Sequence, residues 1–349
     1  MSEFVRRPDF KRLEKVLKRS GEPDCVPFYE LYSDNEIMEA ILGKPLTNES
    51  RVEYQIIMGY DYINAGYHFN YPRRMQTVQD TALLPRAARS FVDDNHGTIE
   101  TRKDFDEYPW PEIKDDLLDN VYEMERLLPD GMKILLGAGG GILENVVWLM
   151  GYMPFSYALC DDEQLIWDMF EKIGNNTVAI LSEALAKCDR SKAGGVVQGD
   201  DMGYNKGTML SPELMRKFVF PWTKKLVSLA HSYDLPYILH SCGNLDEVMD
   251  DLIDDVGIDA KHSYEDKIMP VAQFKKKYGK RIAVLGGADM NFICTRNEDE
   301  VRAYVAQILE DCMPGGGYAL GSGNTLANYV PIKNIHAMYD VGRKNGVYV

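Results

Sequence analysis

The sequence predicts an α/β protein built as a (β/α)8 TIM barrel. Eight short apolar runs alternate with amphipathic helical stretches from end to end. A length of 349 residues accommodates one such barrel. Polar or glycine-rich turns follow most of the runs. A doubly wound open sheet shares the alternation, but the eight-unit count and the length favour the closed form. Residues 1–349 are accordingly expected to form one domain.

An amphipathic N-terminal helix is predicted around 8–19, before a first strand at 26–31 and a second at 60–65. Residues 68–105 break the rhythm. They are polar, carry Pro72, Pro85 and an Asn95-His96-Gly97 turn, and read as a hairpin inserted as a lid or rim. The third strand, 133–136, runs into Gly137-Ala138-Gly139-Gly140-Gly141. The fourth, 195–198, ends at Gly199-Asp200-Asp201. The fifth, 237–240, leads into Ser241-Cys242-Gly243, and the sixth is 260–262. The seventh, 282–285, precedes Gly286-Gly287-Ala288-Asp289, and the eighth, 318–320, precedes Gly321-Ser322-Gly323-Asn324. Ser211-Pro212-Glu213 opens a helix with a cap and a first-turn proline, and Pro331 opens the last.

Bulk composition narrows the function classes. The net charge of −15 argues against a nucleic-acid partner, which needs clustered Lys and Arg. No apolar run reaches the roughly 18 residues of a membrane span, and the N-terminus lacks the apolar core of a signal peptide. The six cysteines are scattered without a CxxC pair or framework spacing, which fits reduced thiols. A cytoplasmic protein is the expectation.

In a barrel the chemistry sits at the C-terminal ends of the strands. Glu30, Asp200, Asp201, His240, Cys242, His262, Asp289, Ser322 and Asn324 all fall at or just past predicted strand ends. Singly, each suits a cap or a satisfied core polar group; jointly they form a polar, metal-capable cup. His240 and Cys242 stand two apart, so both side chains face the same way, and an imidazole with a thiolate suits zinc. The glycine run 137–141 lacks the lysine and hydroxyl of a phosphate loop, so close backbone approach at the rim is its expected role.

Several segments resemble the uroporphyrinogen decarboxylase superfamily: Ile238-Leu-His-Ser-Cys-Gly-Asn244, Gly199-Asp-Asp-Met-Gly203 with Leu210-Ser-Pro-Glu-Leu214, Gly286-Gly-Ala-Asp289, Tyr108-Pro-Trp-Pro111, Leu149-Met-Gly-Tyr152 and Gly316-Gly-Tyr-Ala-Leu-Gly-Ser-Gly-Asn324. The resemblance runs from about residue 25 to the C-terminus and implies a (β/α)8 barrel. True decarboxylases of that family open with an arginine-bearing segment that binds the many substrate carboxylates. Here the corresponding strand reads Val26-Pro-Phe-Tyr-Glu-Leu-Tyr32, with Glu30 in place of a cation. Arg73 and Arg74 in the insertion offer partial compensation.

The other branch, the corrinoid-dependent methyltransferases, shares the HxCG motif. The resemblance implies zinc held by His240, Cys242 and a later cysteine near the eighth strand. That last position reads Ser322-Gly323-Asn324, and Cys312 precedes the strand, so a carboxylate (Asp200, Asp201 or Glu30) is the candidate third ligand. The expected activity is methyl transfer between a small molecule and a corrinoid carried by a partner protein. Zinc then serves as Lewis acid towards a methyl ether, methylamine-like donor or thiol, with a slight lean towards an O-demethylase component. Asp200, Asp201 and His240 are the expected catalytic residues, and Glu30, Ser322, Asn324 and Tyr329 the expected substrate-lining ones. The sequence leaves the oligomeric state open, a homodimer being common among such barrels. A decarboxylase acting on a porphyrinogen or smaller acid is the alternative function, and a barrel that binds without turnover is the third.

Overall fold

A computed structural model of the chain describes residues 6–67, 69–86 and 88–348; residues 1–5 and 349 and positions 68 and 87 of the predicted insertion lie outside them. Seven parallel strands form a curled sheet: β1 (Tyr62–Ala65), β2 (Lys133–Gly137), β3 (Ala193–Gly199), β4 (Tyr237–His240), β5 (Ala260–His262), β6 (Ala283–Leu285) and β7 (Tyr318–Ala319). They neighbour one another in that order, each next to its successor in the chain. Helices cross over between them, among them Ile142–Met150, Glu163–Lys187, Phe220–His231, Val271–Tyr278, Glu298–Cys312 and, after β7, Ile332–Asn345. With helices outside and side chains filling the interior, the central strands are covered on both faces; all four residues of β4 are buried.

The first predicted strand, 26–31, takes the eighth barrel position without becoming a ladder strand. Phe28 makes a single parallel bridge to Leu320. Around it, the Tyr29 N–H donates to the Leu320 carbonyl at 2.8 Å and the Leu320 N–H to the Pro27 carbonyl at 2.9 Å. Pro27 has no N–H with which to add the next rung. Towards β1 the seam is made by side chains. The Tyr62 hydroxyl donates to the Glu30 carbonyl at 2.6 Å, and Asn64 Nδ2 donates to the Leu31 carbonyl at 2.7 Å.

The N-terminal helix is shorter than predicted, Lys11–Leu17, and buries Leu13, Val16 and Leu17. The insertion does contain a hairpin, Met75–Val78 paired antiparallel with Arg89–Val92. It hangs on the loop after β7, where Asn328 Oδ1 accepts from Arg89 at 2.8 Å and Asn328 Nδ2 donates to Asp80 at 2.6 Å. The hairpin therefore stands at the strands' C-terminal rim. Among the described residues no helix is long and apolar enough to cross a membrane.

Candidate metal centre

The site begins with strand register. His240, the last residue of β4, pairs with His262, the last residue of β5. In-register residues on neighbouring parallel strands point to the same face, so both imidazoles enter the barrel mouth. Their Nδ1 atoms lie 2.7 Å apart. His262 Nε2 stands 3.1 Å from the Ser322 carbonyl. Ser241, between His240 and Cys242, faces the other way and accepts the Met202 N–H at 3.0 Å.

The chain then turns at Gly243, with φ +80°, where a Cβ would lie 2.1 Å from the Gly203 carbonyl carbon. Cys242, ahead of that turn, shares the face of His240, with Sγ 3.5 Å from His240 Nε2. Asp201, just past β3, accepts the Cys242 N–H at 2.9 Å on the Oδ1 that lies 3.7 Å from His240 Nε2. One ligand atom from each of Asp201, His240 and Cys242 thus falls within 4.8 Å of the others.

Electrostatics sharpen this cluster. Burial drives His240 down to about 4, so the ring is neutral at physiological pH. Burial, reinforced by the Asp201 charge, pushes the Cys242 thiol up to about 12. The sulfur also accepts from Asn324 Nδ2 at 3.0 Å and lies 3.7 Å from Ser263 Oγ. The position where the resemblance implies a third cysteine is therefore held by an amide that donates to the existing one.

The other expected site residues take different parts. Asp200 is fully buried and caps the helix Ile142–Met150: Oδ2 accepts from Ile142 and Leu143 N–H at 2.9 and 3.2 Å, and Oδ1 from Glu144 N–H at 3.0 Å. That cap also occupies the helix N-terminus behind the glycine run, which leaves those N–H groups no phosphate to hold. Glu30 accepts the Ser322 N–H and Oγ–H at 2.6 Å each and the Tyr339 hydroxyl at 2.8 Å. Burial raises it to about 7 against those three donors. Asp289 caps the helix Met290–Thr295 through Phe292 N–H at 3.0 Å. Tyr329 is exposed at the rim. Cys312 is buried at the end of Glu298–Cys312, with Lys275 and Tyr318 as electrostatic neighbours, away from the mouth.

Two residues escaped the sequence reading. Glu144, in the first turn after the glycine run, is raised to about 9 by burial and then by the charges of Asp200 and Asp201. A first-turn acid reads as ordinary helix chemistry, so nothing in the sequence singled it out. Lys261 lies buried on the opposite face of β5 from His262, its ammonium donating to the Ser263 carbonyl at 2.6 Å. Burial lowers it to about 8. Its charged group is hidden in an Ala-Lys-His run that reads simply as a strand.

A parallel barrel whose mouth gathers an imidazole, a thiol and a carboxylate defines the class. The chain matches the uroporphyrinogen decarboxylase (URO-D) family over residues 94–345 and belongs to that family. Among solved structures it is similar to a methyltransferase from Methanosarcina mazei, at 17% identity and a TM-score of 0.69, covering 97% of this chain and 99% of that one. It is also similar to a protein described as a vitamin-B12-independent methionine synthase from Listeria monocytogenes, at 12% identity and a TM-score of 0.52, covering 92% and 98%. At these identities the two structures speak for the fold. No curated protein sequence matches the chain.

Proposed function

We propose that this protein is a metal-dependent methyltransferase whose substrate is a small methyl donor or acceptor and whose partner is a corrinoid-carrying protein. The single observation that carries this reading is the convergence of Asp201, His240 and Cys242 at the strand ends. A neutral imidazole, a thiol and a carboxylate form a borderline-soft N/S/O set, which fits zinc. His240 and Cys242 act as ligands and Asp201 supplies the third, in place of the cysteine that the family resemblance implies. When bound, zinc supplies a Lewis acid, either for the heteroatom that releases a methyl group or for a thiol held as thiolate.

The remaining work falls to the chain's own residues. Asn324 donates to the sulfur and fixes where it points. Glu144, protonated at neutral pH, places a proton-bearing carboxyl beside Asp201, where it serves a leaving or attacking heteroatom. Asp200 positions the helix that carries Glu144. Tyr329 and the hairpin edge line the approach to the mouth. The Glu30–Ser322 pair supports the site from behind.

The decarboxylase alternative draws less support. It calls for several cations in the cup; Arg73, stacked over the Trp148 ring at 4.4 Å, is an electrostatic neighbour of Glu144, whereas Arg74 is exposed on the insertion. The test is a transfer assay with zinc-loaded protein, a reduced corrinoid protein and a panel of methyl ethers, methylamines and thiols, read by the corrinoid absorption spectrum. The expected result is substrate-dependent methylation or demethylation of the corrinoid, absent in Cys242→Ala. Release of carbon dioxide from a carboxylated substrate, unaffected by chelation, would contradict the reading.

A further inference from the structure

His240 serves as a ligand through Nε2 only when that nitrogen carries no proton, and the residues behind it decide the matter. The Ser322 carbonyl can only accept, so His262 Nε2, 3.1 Å away, carries a proton. His262 is wholly buried, with its ring edge-on to Tyr29 at 5.2 Å, and among the described residues no carboxylate hydrogen-bonds to it. A charged imidazolium there would be uncompensated, so the ring is neutral and its Nδ1 presents a lone pair. His240 Nδ1 lies 2.7 Å from that lone pair and must therefore donate to it. His240 Nδ1 therefore carries a proton, and in the neutral ring, the form that can bind a cation, Nε2 is the bare nitrogen. That nitrogen faces Cys242 Sγ at 3.5 Å and Asp201 Oδ1 at 3.7 Å.

The far end of the chain is anchored as firmly. Glu30 grips both the N–H and the hydroxyl of Ser322, each at 2.6 Å, and so fixes the residue whose carbonyl faces His262. Gly286, with φ +78°, allows the close packing: a Cβ there would lie 2.3 Å from that carbonyl and 2.8 Å from the His262 ring. We propose that His262, clamped by Ser322 and Glu30, is a positioning residue that locks His240 in its Nδ1–H tautomer and so primes Nε2 for a cation. The inference rests on the metal-centre reading and adds to it a residue that touches neither cation nor substrate. A free imidazole prefers its proton on Nε2, so the lock works against the ring's own bias.

The test has two readouts on the metal-free, full-length protein. Nitrogen-15 NMR of labelled histidines gives the His240 tautomer, and a cobalt(II) titration followed by absorption gives affinity. Wild type is expected to show Nδ1–H. His262→Leu, which removes the acceptor, is expected to shift His240 towards Nε2–H and to weaken cobalt binding by about 10–100-fold. His262→Gln keeps an acceptor for His240 and a donor for Ser322, so it should restore most of that loss. It also keeps the proposal testable where the leucine variant fails to fold. An Nε2–H spectrum in wild-type protein that binds cobalt overturns the positioning role alone, as does unchanged affinity in His262→Leu. A wild type that takes no cobalt overturns the metal centre, and the priming role with it.

Discussion

On one side of the barrel mouth Glu30 meets a donor for every oxygen: the Ser322 amide and hydroxyl, and the Tyr339 phenol. On the other side Asp201 receives one backbone N–H, and its carboxylate is 41% exposed beside a ring nitrogen and a sulfur. Asp200, the next residue in the chain, resembles Glu30: three N–H groups from one helix start use up its oxygens. The three carboxylates are chemically near-identical, and their surroundings assign them different work. Where donors match acceptors the group holds the fold together. Where acceptors outnumber donors, the site has capacity for a cation.

The largest expected effect tests the open side. Cys242→Ala or His240→Ala removes a ligand outright, and cobalt or zinc affinity should fall by more than the roughly 100-fold that an outer partner is worth. A calorimetric titration reads this directly, and a drop of only a few fold would erase the distinction between the two sides.

The closed side is tested through pH. The folded state holds the Glu30 proton more tightly than the unfolded chain does, because burial raises the carboxyl to about 7. Stability from this group is therefore complete below the unfolded value near 4.5 and declines as pH rises towards 7, by up to about 3 kcal/mol. Glu30→Gln, which can still accept from the Ser322 amide and donate to its hydroxyl, should flatten that decline in urea unfolding at pH 5 and pH 8. An unaltered pH profile would show that Glu30 contributes no such slope.

Next in size is the contrast between neighbours. Asp200→Ala should cost about 2 kcal/mol as a lost helix cap, with cation affinity close to wild type. Asp201→Ala should do the reverse. Paired denaturation and metal titrations of the two variants separate the roles, and a common phenotype would merge them.

The smallest effect is a slope. His240 is already neutral above about pH 5, so cation uptake should release one proton, from Cys242. Apparent affinity then rises about tenfold per unit between about pH 6 and pH 8, and a slope approaching a hundredfold per unit would require a second proton.

Much of this was legible in the sequence, for reasons that can be named. Apolar runs and their turns placed all seven ladder strands to within two or three residues, because buried parallel strands advertise themselves by composition. The His240–Cys242 pair was legible because period two fixes a shared face. The weakness of the first strand was partly legible in Pro27, whose missing N–H was on view. What the sequence withheld was partnership across distance. Glu30 meets Ser322 across 292 positions, and Cys242 meets Asn324 across 82. Nothing local marks those pairs. The division of labour between Asp200 and Asp201 was equally hidden, since it depends on a helix start 58 positions earlier that claims one carboxylate and leaves the next. Both histidines were visible at strand ends, but their contact required the β4–β5 register.

The most direct measurement is the metal content of untagged protein by plasma mass spectrometry, beside His240→Ala and Cys242→Ala. About one zinc per chain is expected in wild type and none in either variant. A wild type that holds no metal even after incubation with zinc would contradict it.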